Sequence, residues 1–156
     1  MQIEISGTRN KKIKAELLQA ANFYASELLS TRMSNNITLE IYLKKSLDAQ
    51  GYCSYIFEGN APRFFEIELS KQYSLEETLQ TLAHEFVHLK QYAKKQLADT
   101  SGPHCKWNKI LYDAEYNSIE EHSKLPWEIE AYALEKILYN AYRIQFPNFE
   151  NVKVIP

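Results

Sequence analysis

The stretch Thr81-Leu82-Ala83-His84-Glu85-Phe86-Val87-His88-Leu89 decides how the rest of this chain is read. Two histidines stand four apart, with a glutamate directly after the first. On a helix, residues four apart stack one turn above the other, so His84 and His88 share a stripe. That stripe is either a metal site or the polar side of an ordinary amphipathic helix, and the setting has to decide. Ser74-Leu75-Glu76-Glu77 opens the same segment as a capping box, with Ser74 as N-cap and Glu77 at N3. The helix is predicted to run from there to about Leu97. Its buried stripe is Leu79, Leu82, Phe86 and Ala93, widened by Ala83 and Val87. The pair therefore lies well inside a capped helix among apolar neighbours, which favours the metal site.

Upstream, residues 11–33 carry Ile13, Leu17, Leu18, Ala21, Tyr24 and Leu28 at helical spacing and predict a first helix. Residues 35–45 alternate Ile37, Leu39, Ile41 and Leu43, which predicts a strand. Two more strand candidates follow, GYCSYIFEG from Gly51 and PRFFEIELSK from Pro62, joined by the turn-rich 58–62. In the second of these Phe65, Ile67 and Leu69 alternate with Glu66 and Glu68, so one face is wet. Downstream, residues 101–118 read as loop and then a hairpin around Asp113-Ala114. The last segment, 123–146, reads as a helix, with Pro126 suited to its first turn and Phe146-Pro147 to its end. The expected fold is α+β: an N-terminal helix, a small and mainly antiparallel sheet, the HEFVH helix and a final helix.

At 156 residues, with 45% hydrophobic and 24% charged positions, the chain has the composition of one globular domain spanning 1–156. A formal net charge of -2 leaves no cationic surplus for a general nucleic-acid binder. Aromatic residues, at 13% and mostly tyrosine, suit a peptide-binding surface. Cys53 and Cys105 lack a CxxC spacing and read as free thiols in a reducing compartment. The opening MQIEISGTRNKK has no apolar run of a signal peptide, and no segment reaches a membrane span of ~20 apolar residues. The expectation is a cytoplasmic protein, monomeric, without nucleic-acid or membrane partners.

Zinc takes neutral imidazole nitrogens about 2 Å from one point, and catalytic sites use three protein ligands plus water. His84 and His88 supply two. A glutamate following the first histidine is placed to work on a zinc-bound water, which gives Glu85 the role of general base. For the third ligand three residues qualify: His104 in the Gly102-Pro103-His104-Cys105 loop, and Glu128 and Glu130 near the start of the last helix. Glutamates in a first turn also favour the helix dipole. Yet PWEIEAYALEKIL sets its acids among Trp127, Ile129, Ala131 and Leu134, where a carboxylate needs a counter-charge.

HEFVH followed by EIEAYA resembles the gluzincin metallopeptidases, which pair HExxH with a later E-x-x-A helix. The likeness is greatest to the small single-domain members, the minigluzincins, and to short peptidase-like proteins encoded by phages and bacteria. It covers most of the chain, since the order of elements agrees. The resemblance implies a zincin-like fold, one zinc ion held by His84, His88 and Glu128, and Ala131 as the small residue where two helices approach. It implies peptide-bond hydrolysis, with substrate extended along FFEIEL as edge strand. Tyr132 stands where larger gluzincins often have an acid, which removes an expected carboxylate partner for a histidine. Tyr116, Tyr132, His104 and His122 are all candidates for the donor to the oxyanion. His104-Cys105-Lys106-Trp107 is a loose echo of SprT-like proteases, in which a later histidine is the third ligand. A zinc-bearing module that binds or assembles without cutting is the other alternative. The tail 148–156 contains a strand-like VKVI that pairs with a sheet edge, covers the cleft or frays.

Overall fold

The helix announced by the capping box is the centre of the architecture. In the computed structural model, residues 1–56, 61–100, 102–115, 118–147 and 154 are described. The elements are β1 (Gln2–Ser6), α1 (Lys11–Leu28), α2 (Thr31–Ser34), β2 (Thr38–Lys44), β3 (Gly51–Ile56), β4 (Phe64–Ser70), α3 (Leu75–Ala93), β5 (Leu97–Asp99), β6 (His104–Trp107), β7 (Ile110–Asp113), α4 (Ile119–His122) and α5 (Pro126–Gln145). This is an α+β fold around one continuous core. No helix among the described residues is long and apolar enough to cross a membrane.

The main sheet has the order β1-β2-β4-β3. β1 and β4 both pair parallel with β2, and only β3 runs antiparallel, against β4. The expectation of a mainly antiparallel sheet is therefore corrected to a mixed one. Alternation fixes which face of a strand is buried but carries no information about strand direction. Direction follows from the path. α1 crosses back to set β2 parallel to β1, and two reversals through β3 return β4 to the direction of β2. FFEIEL is accordingly interior, flanked on both sides, and GYCSYI is an edge strand, as β1 is on the opposite side. The alternation itself holds: Leu39, Ile41, Leu43, Phe65, Ile67 and Leu69 are buried toward the helices, while Glu40, Glu66 and Glu68 are part exposed on the opposite face.

α1 and α3 pack on that apolar face, and α5 packs in turn against α3 and α1. Ile13, Leu17, Ala21 and Tyr24 of α1 are buried as their spacing predicts, but Leu18 is 41% exposed. The Tyr24 hydroxyl donates to the carbonyl of Leu79 at 3.1 Å, tying α1 to α3 within the core. α1 stops at Leu28, earlier than its apolar pattern suggests, because Ser30 caps the separate short helix α2. α3 keeps its capping box, with Ser74 accepting from the Glu77 N–H and the Glu77 carboxylate accepting from the Ser74 N–H. It ends at Ala93, short of Leu97. Lys95 turns into the left-handed region at φ 59, and Leu97 opens β5 instead.

β5, β6 and β7 form a second, antiparallel sheet. The hairpin between β6 and β7 turns at Asn108-Lys109, not at Asp113-Ala114. Both central residues have positive φ, 48 and 72, which matches the twist of a two-residue hairpin loop. Of the tail, Val154 is buried in the core; the strand-like reading of its neighbours lies outside the described residues.

Candidate metal centre

His84 and His88 project from the middle of α3, and Glu128 enters from the first turn of α5, directly opposite. Pro126 opens α5 at a position where its missing N–H costs nothing, and Ala131, fully buried, lets α5 lie close to α3. His84 Nε2 lies 3.2 Å from Glu128 Oε2, and His88 Nε2 lies 3.3 Å from Glu128 Oε1. The two Nε2 atoms are 3.1 Å apart. The three ligand atoms fall within 4.8 Å of one another, a buried group that could hold a metal ion.

What surrounds the histidines sets their tautomers. His84 Nδ1 is 2.8 Å from Glu135 Oε2, whose other oxygen accepts from the Gln80 amide at 2.9 Å. His88 Nδ1 is 2.9 Å from Gln91 Oε1. The Gln91 amide nitrogen donates to the Trp127 carbonyl at 2.9 Å and to Glu130 Oε2 at 2.8 Å, so its oxygen must be the atom facing His88. Both rings therefore donate from Nδ1 and present an Nε2 lone pair inward. Two imidazole lone pairs and a carboxylate aimed at one point repel unless a cation or proton sits among them.

Among protein groups alone that role falls to a proton. Burial pulls the His84 imidazolium down, but hydrogen bonds to Glu128 and Glu135 outweigh it and hold it at about 10. His88 is likewise raised, burial opposing and the Glu128 bond prevailing. Glu128 would be pushed up by burial, yet its bonds to both histidines, helped by the charge of His122, bring it down to about 2. A metal ion competes for this same convergence of charge.

Glu85 lies beside the histidine stripe, with its Oε1 toward β3, and is only 5% exposed. Burial raises its carboxyl above the ordinary range, against the pull of His88 and His84. It meets β3 at Gly51, where a Cβ would lie 2.7 Å from Thr81 Cγ2 and 2.9 Å from Glu85 Oε1. Glycine is needed there because the strand passes this close to α3. Burial and the Glu85 charge together push the Cys53 thiol up. Cys53 and Cys105 are both free.

Among the alternative ligands, Glu130 turns to the side and accepts from Lys90 Nζ at 2.7 Å as well as from Gln91. It supports His88 through Gln91 and does not join the group. His104 is exposed on β6, opposite Asp113, and is not part of the group either. Of the four candidate oxyanion donors, two stand at the site. His122 Nε2 is 3.3 Å from Glu128 Oε1, and the Tyr132 ring lies 4.7 Å from that of His84. Tyr116 lies outside the described residues. Glu135 and Gln91 escaped the reading of the sequence. Each is seven residues, two helical turns, beyond a member of the group: Glu135 from Glu128, Gln91 from His84. That spacing was their only signal. Glu135 also restores the carboxylate partner whose loss Tyr132 implied.

Comparison with known proteins returns no match to a family model, a curated protein or a solved structure.

Proposed function

We propose that this chain is a zincin-like, zinc-dependent metallopeptidase of gluzincin type, hydrolysing peptide bonds in a peptide or protein substrate. The observation that carries the proposal is the convergence of two Nδ1-anchored imidazoles and the Glu128 carboxylate on one point, beside a buried glutamate. Two nitrogens and one oxygen with one side open suit zinc better than calcium or magnesium, which prefer all-oxygen shells. Zinc, when bound, would polarise a scissile carbonyl and acidify a water.

The chain's own residues supply the rest. Glu85, one residue on from His84 and held up by burial, accepts a proton from the attacking water. It then returns that proton to the departing amine nitrogen. A carboxyl raised toward neutrality suits both transfers. His122 and Tyr132, which stand beside the group, would donate to the oxygen on which charge develops. The edge of β3 that is unpaired among the described residues passes Glu85 at Gly51 and would offer backbone hydrogen bonds to an extended substrate. That role moves from FFEIEL to GYCSYI.

The test is Glu85→Gln. Zinc content, by elemental analysis, stays near one per chain and the melting temperature changes little, while hydrolysis of a proteome-derived peptide library is abolished. Equal loss of zinc from Glu85→Gln and His84→Ala would overturn the assignment of roles. Absence of turnover by the zinc-loaded wild type would leave a zinc-bearing binding module instead.

A further inference from the structure

Past the end of the histidine stripe, β3, α3 and β5 border an open, groove-like cavity of about 340 Å³ lined by Cys53, Ser54, Tyr55, Tyr92 and Asp99. It adjoins a second of about 310 Å³ that shares Tyr55, Tyr92 and Asp99 and reaches Lys95 and Leu97. Both are at the lower end of the size range of ligand pockets. Asp99 lines both. Tyr55 Oη donates to its Oδ2 at 3.0 Å, Tyr92 Oη to its Oδ1 at 3.3 Å, and the Cys105 thiol to Oδ1 at 3.6 Å. The Tyr55 and Tyr92 rings stand 4.6 Å apart at 49° and form the wall. The three donors orient the carboxylate but do not neutralise it, and no ion pair among the described residues includes Asp99. Lys95 lines the second cavity without forming an ion pair with Asp99.

The position relative to Glu85 follows from element geometry. Gly51, Cys53 and Tyr55 share one face of β3, with Gly51 at Glu85 and Tyr55 at Asp99. Four strand residues span ~13 Å. Along α3, Tyr92 follows Glu85 by two turns, ~10.5 Å. An extended peptide adding antiparallel to β3, with its reacting amide at Glu85, passes this cavity on its amino-terminal side.

Resting on the peptidase reading above, we infer that this cavity is a subsite for a basic side chain, Lys or Arg, two to four residues before the bond that is cleaved. A carboxylate without an ion-pair partner among the described residues, bordered by two tyrosine rings, recognises a cation by charge and by its approach to the rings. Asp99 is then a specificity-determining residue.

The experiment uses zinc-loaded Glu85→Gln protein, which tests binding without turnover. Fluorescence anisotropy compares hexapeptides that differ only in arginine against citrulline at each position in turn. Arginine is expected to bind about fivefold tighter at one amino-terminal position, as for a partly exposed ion pair of about 1 kcal/mol. That preference falls below twofold on adding Asp99→Asn and shrinks as salt is raised. It persists with Tyr55→Phe, which keeps ring and charge. No position with more than a twofold preference, a preference indifferent to salt, or one that survives Asp99→Asn in protein of normal melting temperature would overturn the inference. Failure of the peptidase reading is seen separately, as no hydrolysis of any library peptide by the zinc-loaded wild type.

Discussion

Glu135 offers the sharpest test of how the candidate metal group is held. Its carboxylate takes the Nδ1 proton of His84 at 2.8 Å, with both side chains 12% exposed. A hydrogen bond to a charged, largely desolvated partner contributes about 1.5–3 kcal/mol. Loss of such a partner behind a metal-binding histidine costs about 10–100-fold in affinity, or about 1.4–2.7 kcal/mol. The two estimates agree. In Glu135→Gln only one oxygen remains, and if it faces His84 the new amide meets the Gln80 amide donor to donor. We expect Glu135→Gln to weaken zinc binding about tenfold and Glu135→Ala to approach a hundredfold, read by titration against a competing chelator. Melting curves in the presence of chelator separate a loss of fold from a loss of metal. If Glu135→Gln binds zinc within twofold of wild type while Glu128→Ala loses at least tenfold, the orienting role of Glu135 is refuted. If neither loses zinc, the site itself is misassigned.

The remaining expectations concern the neighbouring residues. Glu128→Ala weakens zinc at least tenfold, whereas Glu130→Ala and His104→Ala stay within a few fold in the same titration; release by either of the latter would move the third ligand. Gly51→Ala places a methyl against Thr81 and Glu85; we expect about 1–3 kcal/mol of destabilisation by denaturant and a marked fall in turnover with zinc retained. Unchanged turnover would mean that the close approach of β3 to Glu85 does not bear on the proposed reaction. Ser74→Ala removes the N-cap of α3 and costs about 1 kcal/mol in urea melts. The Ser74 hydroxyl and N–H hold the Glu77 carboxyl below its ordinary 4.5. Its contribution is therefore complete above that value and is lost as pH falls through the lower folded value, so the gap between wild type and Ser74→Ala narrows in acid. A gap that widens in acid would contradict the capping geometry.

The features legible in the sequence are those set within a turn or two of chain. The Ser74 capping box, the i, i+4 histidines, the Pro126 helix start and the alternation of β2 and β4 each depend on neighbours in sequence, so a short window contains the physics. The end of α3 was legible less well, because Lys95 leaves the helix through a left-handed turn without a glycine to mark it. The choice between Glu128 and Glu130 was not local at all. Periodicity within α5 makes Glu130 the more obviously inward residue, yet the rotation of α5 against α3 aims Glu128 at the histidines and gives Glu130 to Lys90 and Gln91. The anchoring of His84 by Glu135, the direction of β4 and the exposure of β3 as the edge above Glu85 were decided in the same way. Each depends on which elements meet and at what angle, and that is set by the summed burial of the core, to which no single window of sequence has access.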